Sequence, residues 1–345
     1  MNSHAARQVG VAVIGGTGYV AGELLRLLCV HPVLRVHAVV SSTQVGEPVV
    51  DTFGHLHGTS LQPLRFVSLE QLVAGLHRGD SLAVFTATPH GRTGPILDSL
   101  LRAAQTCRAV VHVVDLSADF RFRDTARYEV VYGHAHPAPA RAAQFTCAVP
   151  EHFAGKPPAH AVQPGCFTTA ATLAAYPFFA HDLVEPMLFV AAVTGSSGSG
   201  RTPSEGTHHP ARRTEMRALL GLARGGHEPD VAFVPHSGPF VRGIHATVHM
   251  TLKEPSPADA LADRARQVYK GCPFVDVTTQ MPRLTDVVGT NACRIGVASR
   301  GRTLVVTSVI DNLVKGAAGG AVQWMNRLLD LPDDTGLRVA GLGWF

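Results

Sequence analysis

Lysine is scarce in this 345-residue chain: only Lys156, Lys253, Lys270 and Lys315 stand among its 30 basic residues, and the rest are arginines. No basic block stands out and the formal net charge is +4, so a nucleic-acid surface is not implied. The six cysteines, Cys29, Cys107, Cys147, Cys166, Cys272 and Cys293, include no CxxC pair, which argues against a zinc ribbon or a disulfide framework. The 19 histidines include the pairs His55/His57 and His134/His136, yet no cysteine or carboxylate cluster accompanies them, and no metal site is expected. No uninterrupted apolar stretch reaches the roughly 18 residues of a membrane helix, and the start, "MNSHAARQ", lacks the apolar run of a signal peptide. The expectation is a cytoplasmic protein with reduced thiols, away from membranes and nucleic acid.

Apolar residues, by contrast, make up 46% of the chain, enough for two cores, and the length exceeds the usual size of one. The stretch "GVAVIGGTGYVAGELLRLLCVHP" reads as an apolar strand that passes through Gly15, Gly16, Gly18 and Gly22 and continues as an amphipathic helix with the leucines 24, 25, 27 and 28 at helical spacing. Glycines let a backbone come close to a pyrophosphate, whose charge then sits at the positive end of the helix. Gly15, Thr17, Gly18, Tyr19 and Val20 are therefore candidate cofactor contacts. A second strand ends at Ser41, Ser42 and Thr43, where an NAD site would carry an acid for the ribose 2′-hydroxyl. Hydroxyls there leave room for a 2′-phosphate and favour NADP over NAD, although no arginine lies directly in this loop. Further strands at "SLAVFTATPHG" and "AVVHVVDLSADFR" alternate with helical stretches, which predicts α/β architecture with a doubly wound parallel sheet. Ligands gather at the carboxyl ends of such strands, which brings in Pro89 and Ser117.

In "VQPGCFTTAATLAAYP", Cys166 follows a Pro-Gly turn and opens a helix. The dipole and unpaired N–H groups of a helix start lower a thiol's pKa, and the same N–H groups can hold an oxyanion. A small buried residue at a tight turn is the alternative. The other five cysteines fall in apolar strands or helices and read as structural. Downstream, "VAAVTGSSGSGRTPSEGTHHP" opens from a strand into a Gly/Ser-rich loop whose Arg201 could clamp a carboxylate or phosphate, or simply be solvated. Arg242 precedes a strand with alternating Ile244, Ala246, Val248 and Met250, and is a second anion-binding candidate. Near the end come two strands and a helix from about Val314, with Asn312 and Lys315 at its mouth; its Gly and Ala would let a backbone or a flat cofactor approach closely.

Together, "GGTGYVAGELLRLL", "DLSADFR", "AVPE", "PGCFTTAAT", "GSSGSGR", "VRGI", "GTN" and "IDNLVKGAAGGAVQ" resemble, in order from about residue 10 to 345, the N-acetyl-γ-glutamyl-phosphate reductases. Their sister enzymes reduce carrier-protein-bound aminoadipyl or glutamyl phosphate. The resemblance implies a Rossmann domain over residues 8–165 and 314–345, and a second α+β domain over 166–313 that carries the nucleophile and the subunit contacts of a homodimer or homotetramer. It implies attack by Cys166 on an acyl phosphate, followed by hydride delivery from NADPH. Gly198 and Asn312 would join the cofactor site, and Arg121, Arg201, His208, His209 and Arg242 the substrate site. The family's general acid lies in a His-Arg-His-Thr-Pro-Glu segment, matched here by "RGGHEPDV"; Gly225 falls on its first histidine and His227 on its second. His227 is the first candidate, with His208, His209 and His245 as alternatives. The double histidine of "SEGTHHPARR" is more like the lysine-type members, for which Arg212, Arg213 and Arg217 would suit docking of a small acidic carrier protein. A non-catalytic dinucleotide-binding sensor or scaffold is the reading from a different class.

Overall fold

The computed structural model describes residues 8–15, 17–199 and 209–344. Chain contacts divide it into two units, the first formed by residues up to 146 with 156–163 and 321–337, the second by 147–155, 164–320 and 338 onwards.

In the first unit, strands β1 (Val9–Ile14), β2 (Leu34–Val40), β3 (Phe66–Val67), β4 (Ser81–Thr86), β5 (Val110–Asp115), β6 (Phe145–Cys147) and β7 (His160–Val162) form one sheet. Its order is β3-β2-β1-β4-β5-β7-β6, and the pairings from β3 to β7 are parallel. The connections carry α1 (Tyr19–Leu28), α2 (Val49–Thr52), α3 (Leu69–Ala74), α4 (Thr93–Cys107) and α5 (Thr125–Tyr132). Helix α1 buries Leu24, Leu25, Leu27 and Leu28, the stripe that the leucine spacing predicts. This is the doubly wound sheet expected from the alternation of strands and helices. The strand order reverses between β1 and β4, which makes their carboxyl ends the ligand crevice of the unit.

The second unit begins with α6 (Cys166–Ala180) and β8 (Val184–Thr194), followed by α7 (His209–Leu222), β9 (Asp230–Ser237), β10 (Ile244–Leu252), α8 (Ala258–Val268), β11 (Val275–Thr278), β12 (Cys293–Arg300) and β13 (Thr303–Ile310). Its six-stranded sheet, ordered β11-β12-β13-β10-β8-β9, is mixed: β8–β9 and β11–β12 are parallel and the other pairs antiparallel. Ile244, Ala246, Val248 and Met250 point into one core with α6, α7 and α8. Helix α6 is buried nearly all round, as its run of Ala, Leu and Phe requires. Beyond β13 the helix expected from Val314 starts as a π-helical turn, Val314–Ala318, before the α-helix α9 (Gly319–Leu328). Small residues are what allow this turn to sit so close to α6: a Cβ on Gly316 would lie 2.6 Å from the Cβ of Cys166.

Of the other five cysteines, Cys107, Cys147 and Cys293 lie in α4, β6 and β12, as expected. Only Cys293 is fully buried; Cys29, Cys107, Cys147 and Cys272 are half-buried. Cys29 caps the end of α1 and Cys272 lies between α8 and β11, outside any helix or strand. None of the six forms a disulfide. No helix among the described residues is long and apolar enough to cross a membrane.

Candidate active site

In the first unit the candidate residues gather at the turn between β1 and α1. Gly15 has φ +87, and a Cβ there would come within 2.8 Å of the Ala87 backbone, so only glycine fits beside β4. Gly18 caps α1 with no side-chain partner, and a Cβ added to it would meet nothing within 4 Å. The chain thus leaves bare backbone and open space at the positive end of α1, the cradle a diphosphate needs. Thr17 and Val20 are half-buried and Tyr19 is exposed at this mouth; Gly16 lies outside the described residues. At the end of β2 the hydroxyl of Ser41 accepts from the N–H groups of Thr43 and Gln44, 3.2 and 3.3 Å away. Ser41 therefore builds the turn, while Ser42 and Thr43 face solvent.

The loops after β4 and β5 are tied together by two buried aspartates, Asp119, which the sequence places near the cofactor, and Asp115. Asp119 accepts from the N–H groups of Gly91 (2.6 Å) and Gly94 (2.9 Å) at the start of α4. Asp115 accepts from the Thr86 hydroxyl (2.6 Å) and from both the N–H and the hydroxyl of Ser117 (2.9 Å each). Burial pushes the Asp115 carboxyl up to about 6. Ser117 is buried and its hydroxyl is spent on Asp115 and on the Asp119 N–H, whereas Pro89 is exposed. Arg121 is half-buried and donates to the Leu116 carbonyl at 3.5 Å.

In the second unit the candidate site is the turn at Pro164-Gly165. Cys166 is the first residue of α6 and is half-buried, with the glycine face of the π-helical turn against its Cβ. Glu215 of α7, 2% exposed, reaches this turn. Its carboxylate accepts from the Gly165 N–H at 3.0 Å and from the Thr168 hydroxyl at 2.8 Å. One helical turn away along α7, the Arg212 guanidinium lies 5.1 Å over the Phe167 ring.

The π-helical turn is itself anchored. Asp311, fully buried, accepts two bonds from Arg242 (3.0 and 3.1 Å) and others from the N–H groups of Gly289, Leu313 and Val314. Arg242, expected as an anion binder, thus has two of its nitrogens bonded to a carboxylate of its own unit. Asn312 is buried as well: its carbonyl oxygen accepts from the Gly243 N–H at 2.6 Å, and its amide donates to Ser197 at 3.1 Å. It latches the loop containing Gly198 to the loop containing Arg242. Gly198 fits its 3-10 turn because a Cβ would lie 2.9 Å from the Thr194 hydroxyl. Lys315 is not a solvated loop lysine; it is fully buried against the Glu151 carboxylate at 2.5 Å. Such a pair compensates two desolvated charges that would each be costly alone. The sequence offered no signal for the pairing of residues 164 positions apart.

The histidine candidates separate. Arg201 and His208 lie outside the described residues, and His209 opens α7 with a side chain that is not described. His227 is exposed in the turn between α7 and β9, just after Gly225 (φ +63) and Gly226 (φ +99). His245 lies on β10, and burial lowers its pKa. Among the described residues no group of three or more His, Cys, Asp or Glu is placed to hold a metal ion.

Residues 10–145 match the model described as semialdehyde dehydrogenase, NAD binding domain, and residues 166–312 the model described as semialdehyde dehydrogenase, dimerisation domain. An N-acetyl-gamma-glutamyl-phosphate reductase of Dehalococcoides mccartyi is 36% identical, the alignment covering 95% of this chain and 96% of the relative. The one from Methanocella arvoryzae is 37% identical over 96% and 98% of the two chains. Among solved structures, aspartate semialdehyde dehydrogenase II from Vibrio cholerae superposes with a TM-score of 0.65 at 17% identity, covering 94% of this chain and 99% of that one, which is a likeness of fold alone. With more than a third of its residues shared along nearly its whole length, the chain belongs to the N-acetyl-γ-glutamyl-phosphate reductase family.

Proposed function

We propose that this protein reduces N-acetyl-γ-glutamyl phosphate to the semialdehyde with release of phosphate, using NADPH, in arginine biosynthesis, by way of a thioester on Cys166. The observation that carries the reading is the half-buried Cys166 at the first position of α6, in a turn held from both sides by buried contacts. The relatives reported above carry the free acetylated substrate in their names, which favours it over a carrier-linked one.

Deprotonated Cys166 attacks the carbonyl carbon; as the C–S bond forms, the C–O bond to phosphate breaks and phosphate leaves with its electron pair. The N–H groups at the start of α6 are suited to hold the oxyanion that develops. NADPH, when bound, supplies the hydride that reduces the thioester carbon. Cys166 then departs as thiolate, a role for which sulfur is as well suited as for attack. We assign the proton transfers to His227, which is exposed and in the same unit as Cys166, over His245, whose burial disfavours the protonated form. Gly15, Thr17, Gly18, Tyr19 and Val20 would hold the cofactor's diphosphate; the bare turn at φ +87 and the open space at Gly18 fit such a group. Ser42 and Thr43, exposed and without an acid between them, suit a 2′-phosphate. Arg121, Arg201, His208, His209 and the outer edge of Arg242 are the proposed contacts for the substrate's carboxylate and phosphate.

Residues 8–165 and 314–345 are read as the dinucleotide-binding domain and 166–313 as the catalytic and dimerisation domain. The face of the second sheet opposite α6 exposes Met187, Phe189 and Val234, an apolar patch that a second copy would cover, in keeping with the match of residues 166–312 to a dimerisation domain. Six cysteines without a disulfide suit a reducing compartment, the cytoplasm. The test is the reaction in reverse: phosphate-dependent reduction of NADP by N-acetylglutamate semialdehyde. Cys166→Ala should abolish it, and His227→Asn should lower it by about 100-fold or more. Undiminished turnover in either variant rejects the role of that residue.

A further inference from the structure

We infer that Glu215 is a positioning residue for the nucleophile: its carboxylate, from α7, fixes the first turn of α6 around Cys166 and so sets the direction of the thiol. The two groups it binds flank the cysteine closely. Gly165, whose N–H it accepts at 3.0 Å, is the residue before; Thr168, whose hydroxyl it accepts at 2.8 Å, is two residues after. Both oxygens of one buried carboxylate therefore span the nucleophile.

The turn needs such a clamp because nothing local supplies one. The residue capping α6 is Gly165, which has no side chain to accept from the first N–H groups. Glycine also leaves the backbone more freedom than any other residue. A carboxylate held by another helix replaces the missing cap, and the two bonds act at different backbone positions, so they resist rotation of the turn as well as its displacement. Gly316 adds a second constraint, packed against Cys166 so tightly that a methyl group on it would lie 2.6 Å from the Cys166 Cβ.

The sequence hides this role. Glu215 sits in the middle of α7 among arginines and alanines and carries no motif; only the packing of α7 on α6 reveals it.

The inference rests on the proposed role of Cys166, and its test reads the thiol with and without catalysis. We would measure the rate at which iodoacetamide alkylates Cys166, followed by mass spectrometry of its peptide, beside kcat and KM for the reductase reaction. Glu215→Ala should lower both kcat and the alkylation rate of Cys166 by about tenfold or more, with KM for the acyl phosphate within about twofold, since a turned nucleophile loses alignment and not binding. Glu215→Gln should restore both to within about threefold of the parent, because a carboxamide still accepts from the Gly165 N–H and can donate to the Thr168 oxygen. Thr168→Val, which removes one of the two bonds, should fall between them, and it serves if Glu215→Ala does not fold. A lower melting temperature in Glu215→Ala or Thr168→Val with the parent's kcat and alkylation rate would overturn the inference, leaving Glu215 a structural residue. If alkylation responds as described while the parent shows no reductase turnover, the positioning role stands and the proposed function falls.

Discussion

The molecule contains two strand, glycine turn, helix junctions, and their glycines are used in opposite ways. At the start of α1, Gly18 has open space where a side chain would be and no side chain caps the helix. At the start of α6, Gly165 is held by Glu215, and the glycine facing the turn, Gly316, is packed against Cys166. The first junction leaves bare backbone at its helix end, where we place the cofactor's diphosphate. The second fills its surroundings with protein so that a single thiol is fixed. The same electrostatic device, the positive end of a helix, serves as a socket in one unit and as a mount in the other.

Adding one methyl group to each junction tests the contrast. Gly316→Ala should have the largest effect: with 2.6 Å to the Cβ and 3.1 Å to the Cα of Cys166, the new Cβ forces the nucleophile's turn to move. The expected result is a loss in kcat of about 100-fold, with a stability loss of about 1–3 kcal/mol by urea titration. Gly18→Ala should do the reverse. Its backbone, at φ −90, accepts alanine without strain, so the melting temperature should stay within about 2 °C. The methyl would enter the space meant for the diphosphate, and KM for NADPH should rise by about tenfold. A Gly18→Ala protein that loses stability but keeps its cofactor affinity would break the comparison.

How far these junctions could be read beforehand differs as well. The β1–α1 turn was legible because its whole device is local: apolar run, glycines, leucine stripe. The position of Cys166 was legible for the same reason, since a Pro-Gly pair before a helix is a local signal. The groups that hold Cys166 were not. Glu215, Asp311 and the Glu151–Lys315 pair are distant in sequence from what they bind, and a lone acid in a helix or loop is indistinguishable from a solvated one until tertiary packing buries it. Asn312, which follows a strand end, and Arg242, in the turn before a strand, were singled out as ligand contacts; packing shows them spent, at least in part, on latching loops to each other. The π-helical start of the last helix was hidden too, because its cause is the glycine contact with α6 and not the sequence of the turn itself.

A smaller effect comes from histidines withdrawn from water, among them His160 in the first unit and His152 in the second. Burial pushes His152, stacked on Tyr176, down to about 3 and His160 down to about 4. Both stay neutral in the fold while the unfolded chain takes up protons below about 6.5. The unfolded state then binds more protons, so stability is present above about pH 6.5 and is lost as pH falls toward 4. Asp115, raised to about 6, acts in the opposite sense, its contribution fading as pH rises from about 4 to 6, but one carboxyl opposes two histidines. Urea midpoints should therefore be lower at pH 5 than at pH 7, and His152→Gln should flatten the difference. Equal midpoints at the two pH values would contradict the burial of these imidazoles.

The central claim is that Cys166 carries the acyl group. It is tested most directly by mixing the protein with N-acetyl-γ-glutamyl phosphate in the absence of NADPH, quenching in acid and examining the cysteine peptides by mass spectrometry. The account predicts an N-acetylglutamyl adduct on the Cys166 peptide, removed by hydroxylamine and consumed when NADPH is added. An adduct confined to another cysteine, or rapid turnover with no adduct at Cys166, would contradict it.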